Sequence, residues 1–176
     1  MKNYVFLFTG QGSQYVGMGK EIYNKFDYAK KIYKIAEDVL NFDIKEISFH
    51  DKNNLINQTK YTQPIIFTYN IILDKFLKSK GFFPKATAGH SLGEYSALVS
   101  SKIISFEDAL YLIKKRADKM EDIGNRTPGK MIAILNFDYV ALNKILEKYK
   151  SKVVIANYNT ENQIILSGEK YSIENL

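Results

Sequence analysis

The chain has no cysteine and only two histidines among its 176 residues. The missing thiols exclude disulfides, thiolate metal sites and a cysteine nucleophile, and we predict no metal site. No apolar run approaches the roughly 20 residues of a membrane span. The apolar run from Tyr4 to Phe8 stops at glycines without a cleavage pattern, so it predicts a buried strand rather than a signal peptide. These absences are compatible with a cytoplasmic protein outside the membrane.

The charge of the chain does not identify a partner. A formal charge of +6 would suit an acidic or phosphorylated partner. Lysine and arginine are scattered among acidic residues without a basic block, however, so a solvated surface explains them equally well, and no nucleic-acid module is present. The length of 176 residues is enough for one domain with a core, or for one domain and part of another. Hydrophobic residues make up 45% of the chain, which argues against disorder.

The most informative stretch is Gly89-His90-Ser91-Leu92-Gly93, a Gly-x-Ser-x-Gly motif. A short run that can form a strand precedes it, and residues 94–100 have the spacing of a helix. Strand, tight turn and helix form the context in which this motif presents a nucleophile. The unpaired amides at the start of the helix would also stabilise an oxyanion. A glycine-flanked serine in an ordinary loop is the alternative, and the flanking elements favour Ser91 as a nucleophile.

A serine hydroxyl needs a base to take its proton. His90 is adjacent to Ser91 on a tight turn, where neighbouring side chains point apart, so we expect it to form a pocket wall or to pack locally rather than to act as the base. His50 lies in a polar loop. A Ser–His pair usually joins residues that are distant in sequence, and we therefore expect the base to lie beyond Leu176.

Two further features narrow the chemistry. The loop from Gly10 to Gln14 follows the first strand at the sheet edge that carries Ser91, and its amides could complete an oxyanion hole with the N–H of Leu92. A phosphate-binding glycine loop is one alternative for this segment, but the lysine and the full glycine spacing of such a loop are absent. A generic turn is the other alternative.

Arg116 lies on an apolar helix face, where its guanidinium could offer two parallel hydrogen bonds to a carboxylate. Spacing alone slightly favours an arginine at the rim with its head in water.

Alternating elements in the first part of the chain predict a parallel α/β sheet. We expect a strand buried on both faces at 4–9 and a helix from 19 to 40. The segment 51–61 should be irregular, and a helix should open at Thr62 with Pro64 in its first turn. A further helix should run from Ser105 to about Ile123.

The pattern changes after Thr127-Pro128-Gly129. A strand at 130–135, a helix at 138–149 and strands at 152–158 and 163–167 predict part of a split β-α-β, ferredoxin-like unit. The strand from Met131 to Leu135 would keep an uncovered edge. We therefore expect two domains, 1–126 and 127–176, in the N-terminal portion of a longer protein.

Several motifs in order resemble the malonyl-CoA:acyl-carrier-protein transacylases of bacterial fatty-acid synthesis and the related acyltransferase domains of polyketide synthases. They are Phe6-Leu7-Phe8-Thr9-Gly10-Gln11-Gly12-Ser13-Gln14, Thr62-Gln63-Pro64, Gly89-His90-Ser91-Leu92-Gly93-Glu94, Arg116 with Met120, and Ala156-Asn157-Tyr158-Asn159 followed by Ser167-Gly168. The resemblance covers essentially the whole chain. It implies an α/β-hydrolase-like parallel-sheet subdomain with an inserted ferredoxin-like α+β subdomain, which is incomplete here.

The resemblance also implies roles for individual residues. Ser91 would carry the malonyl group as an ester, and the N–H groups of Gln11 and Leu92 would hold the oxyanion. Arg116 would pair with the malonyl carboxylate, which reverses the preference from spacing. His90 and Gln63 would contact substrate. The family's histidine base is absent from this chain.

The implied activity is that of an S-malonyltransferase with malonyl-CoA as substrate, acyl carrier protein as partner and no bound cofactor, acting as a monomer. A serine esterase or lipase using the same corner is one alternative, and it would release an uncharged acyl group to water. An inactive truncated fragment, or a docking piece for carrier protein, is another. We expect the 176-residue piece alone to show little or no transfer.

Overall fold

The computed structural model describes residues 3–176. The chain divides into a unit that ends at Glu121 and a second unit, Asp122–Leu176. The boundary lies inside a helix, ahead of the position after residue 126 that the sequence predicted. The first unit contains β1 (Tyr4–Phe8), α1 (Lys20–Lys25), α2 (Asp27–Leu40), α3 (Ile44–Phe49), α4 (Thr59–Ser79), β2 (Pro84–Gly89), α5 (Gly93–Ser100) and most of α6 (Phe106–Arg126).

Strands β1 and β2 pair in parallel, as the alternating pattern predicted. Their register sets Phe8 opposite Gly89, so both strands end at the same edge of the sheet. The loop after β1 and the turn after β2 therefore leave side by side. This edge is where a parallel sheet places functional loops.

One face of β1 is open, so the prediction of a strand buried on both faces was wrong. Val5 is 59% exposed and Leu7 is 77% exposed, whereas Phe8 is buried. The alternation follows from the pleat, which sends successive side chains to opposite faces. Helix α4 reaches the segment after β1 through Asn70. It contributes as many buried residues to the core as α2 does, including Ile65, Ile66, Phe67 and Ile72.

The helix predicted over 19–40 is two helices. Phe26 between them has an extended backbone, with φ −133° and ψ 123°. Its ring contacts Phe76 of α4 and Tyr28. The short helix α3 was not predicted, and it starts where the Asp43 carboxylate accepts the backbone N–H of Glu46.

The start of α4 also differs from the prediction. The helix begins at Thr59, so Pro64 lies inside it rather than in its first turn. Thr62 does not cap the helix, because its hydroxyl donates to the carbonyls of Ile56 and Gln58. The segment before Thr59 is irregular, as predicted. Helix α6 begins at the predicted place, where the Ser105 hydroxyl accepts the backbone N–H of Asp108.

The second unit has the predicted order of strand, helix, strand and strand: β3 (Gly129–Leu135), α7 (Tyr139–Lys148), β4 (Val153–Thr160) and β5 (Gln163–Glu169). A short helix, α8 (Lys170–Glu174), follows β5. Its sheet is antiparallel in the order β3-β5-β4. The core of this unit contains Leu142, Val153, Ile164, Leu166 and Ile173. Across residues 3–176, no helix combines the length and apolarity needed to cross a membrane. The chain as a whole is a mixed α/β protein.

Candidate active site

Ser91 sits at a sharp corner between β2 and α5. Its backbone is left-handed, with φ 53°, a conformation that is uncommon for residues other than glycine and is strained when the side chain is not small. A Cβ at Gly89 would overlap the backbone of Gly93, and a Cβ at Gly93 would overlap the carbonyl of Phe8. The two glycines are therefore required by the close approach of β2, α5 and β1. The residue presented at this corner, Ser91, is exposed.

Arg116 of α6 reaches the corner from a neighbouring helix. Its Nη2 donates to the Ser91 hydroxyl oxygen over 2.9 Å. Its Nη1 donates to Gln63 Oε1 of α4 over 2.6 Å. The guanidinium is half-buried. The structure therefore brings the charged head to the nucleophile rather than leaving it in water, which spacing alone had slightly favoured.

Gln63 stands behind Arg116. The side chain is 0% exposed, so it is placed to act through the arginine rather than by touching substrate. Its Oε1 accepts from Arg116, and its Nε2 lies 3.2 Å from the sulfur of Met120. A fully buried amide is costly unless its polar atoms are bonded, and here both ends have partners. Gln63 thus fixes the position and angle of the guanidinium.

Two backbone amides in the segments that form the corner have no hydrogen-bond acceptor among the described residues. Within the described residues 3–176, neither the N–H of Gln11 nor the N–H of Leu92 donates a hydrogen bond. Leu92 is the residue before helix α5, and it is only 1% exposed. Because its side chain is buried, the part of Leu92 available to the site is its backbone N–H. Unpaired amides at a helix start carry partial positive charge.

The loop that carries Gln11 is held close to the Ser91 corner. The His90 N–H donates to the Phe8 carbonyl over 3.1 Å. A Cβ at Gly10 would lie 2.5 Å from the His90 carbonyl oxygen, so only glycine fits this approach. The Gln11 side chain bonds Thr59 Oγ1 at 3.3 Å, which ties the loop to the start of α4. The loop and the corner therefore form one unit.

Neither histidine is paired with the nucleophile. His50 is bonded through its two ring nitrogens to Lys20 and Glu46. The exposed His90 ring lies against Gly10 instead. Within residues 3–176, no hydrogen bond joins a histidine to the Ser91 hydroxyl. The arrangement can hold a tetrahedral oxyanion and a carboxylate, and within the described chain the Ser91 proton has no basic acceptor.

The comparison with protein families decides which serine chemistry this corner belongs to. A model of the acyl transferase domain matches residues 5–176. The chain belongs to the acyl transferase domain family. The match includes the corner, the Gln11 loop, Arg116 and the whole second unit of this acyl transferase domain.

Relatives of this acyl transferase domain carry a consistent name. The malonyl CoA-acyl carrier protein transacylase of Bacillus subtilis is 39% identical over 99% of this chain and 56% of its own length. The crystal structure of the transacylase of the same name from Clostridium perfringens is 40% identical, with a TM-score of 0.89, over 98% of this chain and 55% of its own.

A second similar structure holds a type II PKS acyl-carrier protein in complex with its malonyl-transacylase. It is 30% identical with a TM-score of 0.90, over 98% of this chain and 57% of that chain. This acyl transferase domain therefore spans little more than half the length of the relatives it matches.

Sequence reasoning missed two buried polar residues beside the site. Asn70 lies among the apolar residues of α4, and Ser96 lies in α5 one turn after Leu92. Both are buried. The available signal was a single amide inside the run Ile65 to Leu73, which is otherwise largely apolar. A polar residue inside such a run indicates a specific hydrogen-bond partner, because burying it unbonded is costly.

Proposed function

We propose that this acyl transferase domain is the part of an S-malonyltransferase that carries the nucleophile. The reaction moves a malonyl group from malonyl-CoA to the phosphopantetheine thiol of acyl carrier protein, through an ester on Ser91. One observation carries the proposal: the Arg116 guanidinium lies 2.9 Å from the Ser91 hydroxyl oxygen. A fixed positive fork beside the nucleophile suits an acyl group that ends in a carboxylate.

In the first step the Ser91 oxygen attacks the thioester carbonyl and its proton leaves to a base. The N–H groups of Gln11 and Leu92 stabilise the negative oxygen of the tetrahedral intermediate. The carbon–sulfur bond then breaks and CoA departs as the thiol. In the second step the carrier-protein thiol attacks the Ser91 ester, and the serine regains its proton.

Arg116 serves recognition rather than proton transfer. A guanidinium stays protonated in proteins and only donates hydrogen bonds, so its bond to Ser91 leaves the serine proton free to depart. Malonyl binding would redirect the donated N–H from the serine to the substrate carboxylate. Gln63 keeps the guanidinium in place during this exchange, since its 2.6 Å bond is to Nη1 and not to the Nη2 that contacts Ser91. His90 forms a wall of the pocket.

The general base is part of the proposal. Both histidines of the chain are engaged elsewhere or lack a bond to Ser91, so we place the base outside residues 3–176. We also propose that the first unit is the α/β-hydrolase-like subdomain and that the second is a ferredoxin-like subdomain. The order β3-β5-β4 matches such a unit without its last strand, which would pair with the free edge of β3.

Carrier-protein docking is proposed by analogy with the relative solved together with an acyl-carrier protein. The protein would need no bound cofactor and would act as a monomer. The positive formal charge of +6 suits an acidic carrier protein, because opposite net charges speed encounter.

Intact-protein mass spectrometry after addition of malonyl-CoA tests the function. We expect one malonyl group on Ser91 of the complete protein, and its transfer to holo carrier protein when the latter is added. Ser91→Ala is the control and should take no label. Rapid loss of the ester to water without carrier protein would instead support the serine hydrolase. No ester in the complete protein would support the inactive alternative.

A further inference from the structure

Asn70 is an asparagine placed in the core of the first unit. It is 6% exposed and is surrounded along α4 by the buried residues Ile66, Phe67 and Ile71. Its Nδ2 donates to the Thr9 carbonyl over 3.1 Å and to the Ser96 hydroxyl oxygen over 3.3 Å. Because a buried amide without partners is costly, these two bonds explain why a polar residue is tolerated here.

The two partners of Asn70 belong to the two segments that carry the free amides of the site. Thr9 lies two residues before Gln11 and directly follows β1. Ser96 lies one helical turn after Leu92, in the first half of α5. A single side-chain amide thus holds both segments to the rigid helix α4, which is 21 residues long.

Other bonds fix the same region but act from within it. The Phe8 carbonyl accepts from the His90 N–H, and the Gly10 carbonyl accepts from the Ser13 hydroxyl over 2.9 Å. Three successive carbonyls, those of Phe8, Thr9 and Gly10, therefore each have a donor. Asn70 supplies the donor for the middle carbonyl, that of Thr9, from helix α4. This bond ties the segment after β1 to α4.

We infer that Asn70 is a positioning residue for the oxyanion hole, an inference that rests on the proposed role of Gln11 and Leu92. It holds the two amides in a common frame, so that both reach one oxygen in the transition state. Its loss should reduce the rate of the chemical step for every acyl group. Substrate recognition, which depends on Arg116, should remain.

The experiment uses the complete protein with Asn70→Leu, a swap of similar volume that removes both bonds. We expect kcat to fall about 10- to 100-fold for malonyl-CoA and for acetyl-CoA alike, because a displacement of about 1 Å costs up to about 100-fold. KM should stay within about twofold. Ser96→Ala is a milder change, since the bond from Asn70 to Thr9 remains. It should lower kcat about two- to fivefold, equally for malonyl-CoA and acetyl-CoA.

The matched control is Thr68→Val on the same helix. Thr68 is buried, and its hydroxyl has no partner within residues 3–176. Its loss should leave kcat unchanged. Equal kcat in wild type, Asn70→Leu and Ser96→Ala, with only a lower melting temperature in the variants, would overturn the inference. Loss confined to malonyl-CoA would also overturn it, and Ser96→Ala decides the question if Asn70→Leu does not fold.

A fluorophosphonate probe separates this inference from the proposed function. The Ser91 oxygen attacks phosphorus as its proton passes to the general base of the complete protein, and fluoride leaves. The phosphoryl oxygen occupies the oxyanion hole whatever the natural acyl group. Slower labelling of Asn70→Leu than of wild type supports the positioning role even if malonyl-CoA gives no ester. Equal labelling rates contradict it. A wild type that the probe does not label overturns both proposals.

Discussion

The carboxyl end and the middle of β1 differ sharply in how they are packed. At the end, the successive carbonyls of Phe8, Thr9 and Gly10 are each bonded, and glycines allow backbones to approach closely. In the middle, Val5 and Leu7 present an apolar face that residues 3–176 leave uncovered. The geometry of the serine corner is therefore fixed by contacts within this chain, whereas the burial of the sheet is not.

A site and the core behind it can therefore be specified by different parts of a protein. The residues that aim Ser91 and Arg116 come from β1, α4, α5 and α6, and all lie before Glu121. Parallel sheets normally have both faces covered, so the open face of β1 is the exceptional feature. Substitutions at the crowded end should therefore be far more disruptive than substitutions on the open face.

The largest effect should come from Gly93→Val at the crowded end. A side chain there overlaps the Phe8 carbonyl, and neither backbone can yield without breaking the corner. We expect a loss of about 3 kcal/mol or more in the free energy of unfolding, measured by urea denaturation. Gly124→Ala is the control, because its Cβ would meet no atom within 4 Å. It should stabilise helix α6 by about 0.5–1 kcal/mol; equal losses in both variants would refute the steric account.

A middle-sized effect should follow from Gln63→Leu, which removes the bond that holds Arg116. A hydrogen bond to a charged group contributes about 1.5–3 kcal/mol, so the rate of Ser91 malonylation by the complete protein should fall about 10- to 100-fold. Acetylation should change by less than about threefold, since acetyl has no carboxylate. Mass spectrometry of samples quenched at successive times measures both rates. If acetylation fell equally, Gln63 would support the corner rather than the arginine.

The smallest effect should come from Leu7→Ala on the open face. Because the side chain is already largely in water, the 176-residue chain should lose no more than about 0.5 kcal/mol. The same substitution at the buried Leu110 of α6 should cost about 2–5 kcal/mol. Denaturation of both at several protein concentrations checks the contrast. A large loss at Leu7 that depends on concentration would mean that a second copy covers this face.

The parts that sequence reasoning predicted are those governed by local geometry. The corner at Ser91 follows from steric requirements of Gly89 and Gly93, which act over a few residues. The element order of the second unit follows from alternating patterns and from turn residues in a short stretch of chain. Both were readable without knowledge of distant contacts.

The parts that were missed depend on distant contacts. Phe26 fits the apolar spacing of a continuous helix, so the spacing did not reveal the break between α1 and α2. In the structure the Phe26 backbone is extended and its ring packs against the distant Phe76. The apolar character of Leu7 indicated a preference for burial but not what covers it. Spacing placed Arg116 at a rim, because its partners come from α4 and from the corner at Ser91, far away in sequence.

Competition between malonyl-CoA and acetyl-CoA tests whether Arg116 selects acyl groups that end in a carboxylate. The complete protein is mixed with equal concentrations of malonyl-CoA and acetyl-CoA, and the acyl group on the Ser91 peptide is identified by mass spectrometry. The pairing of Arg116 with Ser91 predicts mostly malonyl ester in wild type and a reversal toward acetyl ester in Arg116→Ala. An unchanged ratio of the two esters in Arg116→Ala would contradict the carboxylate clamp.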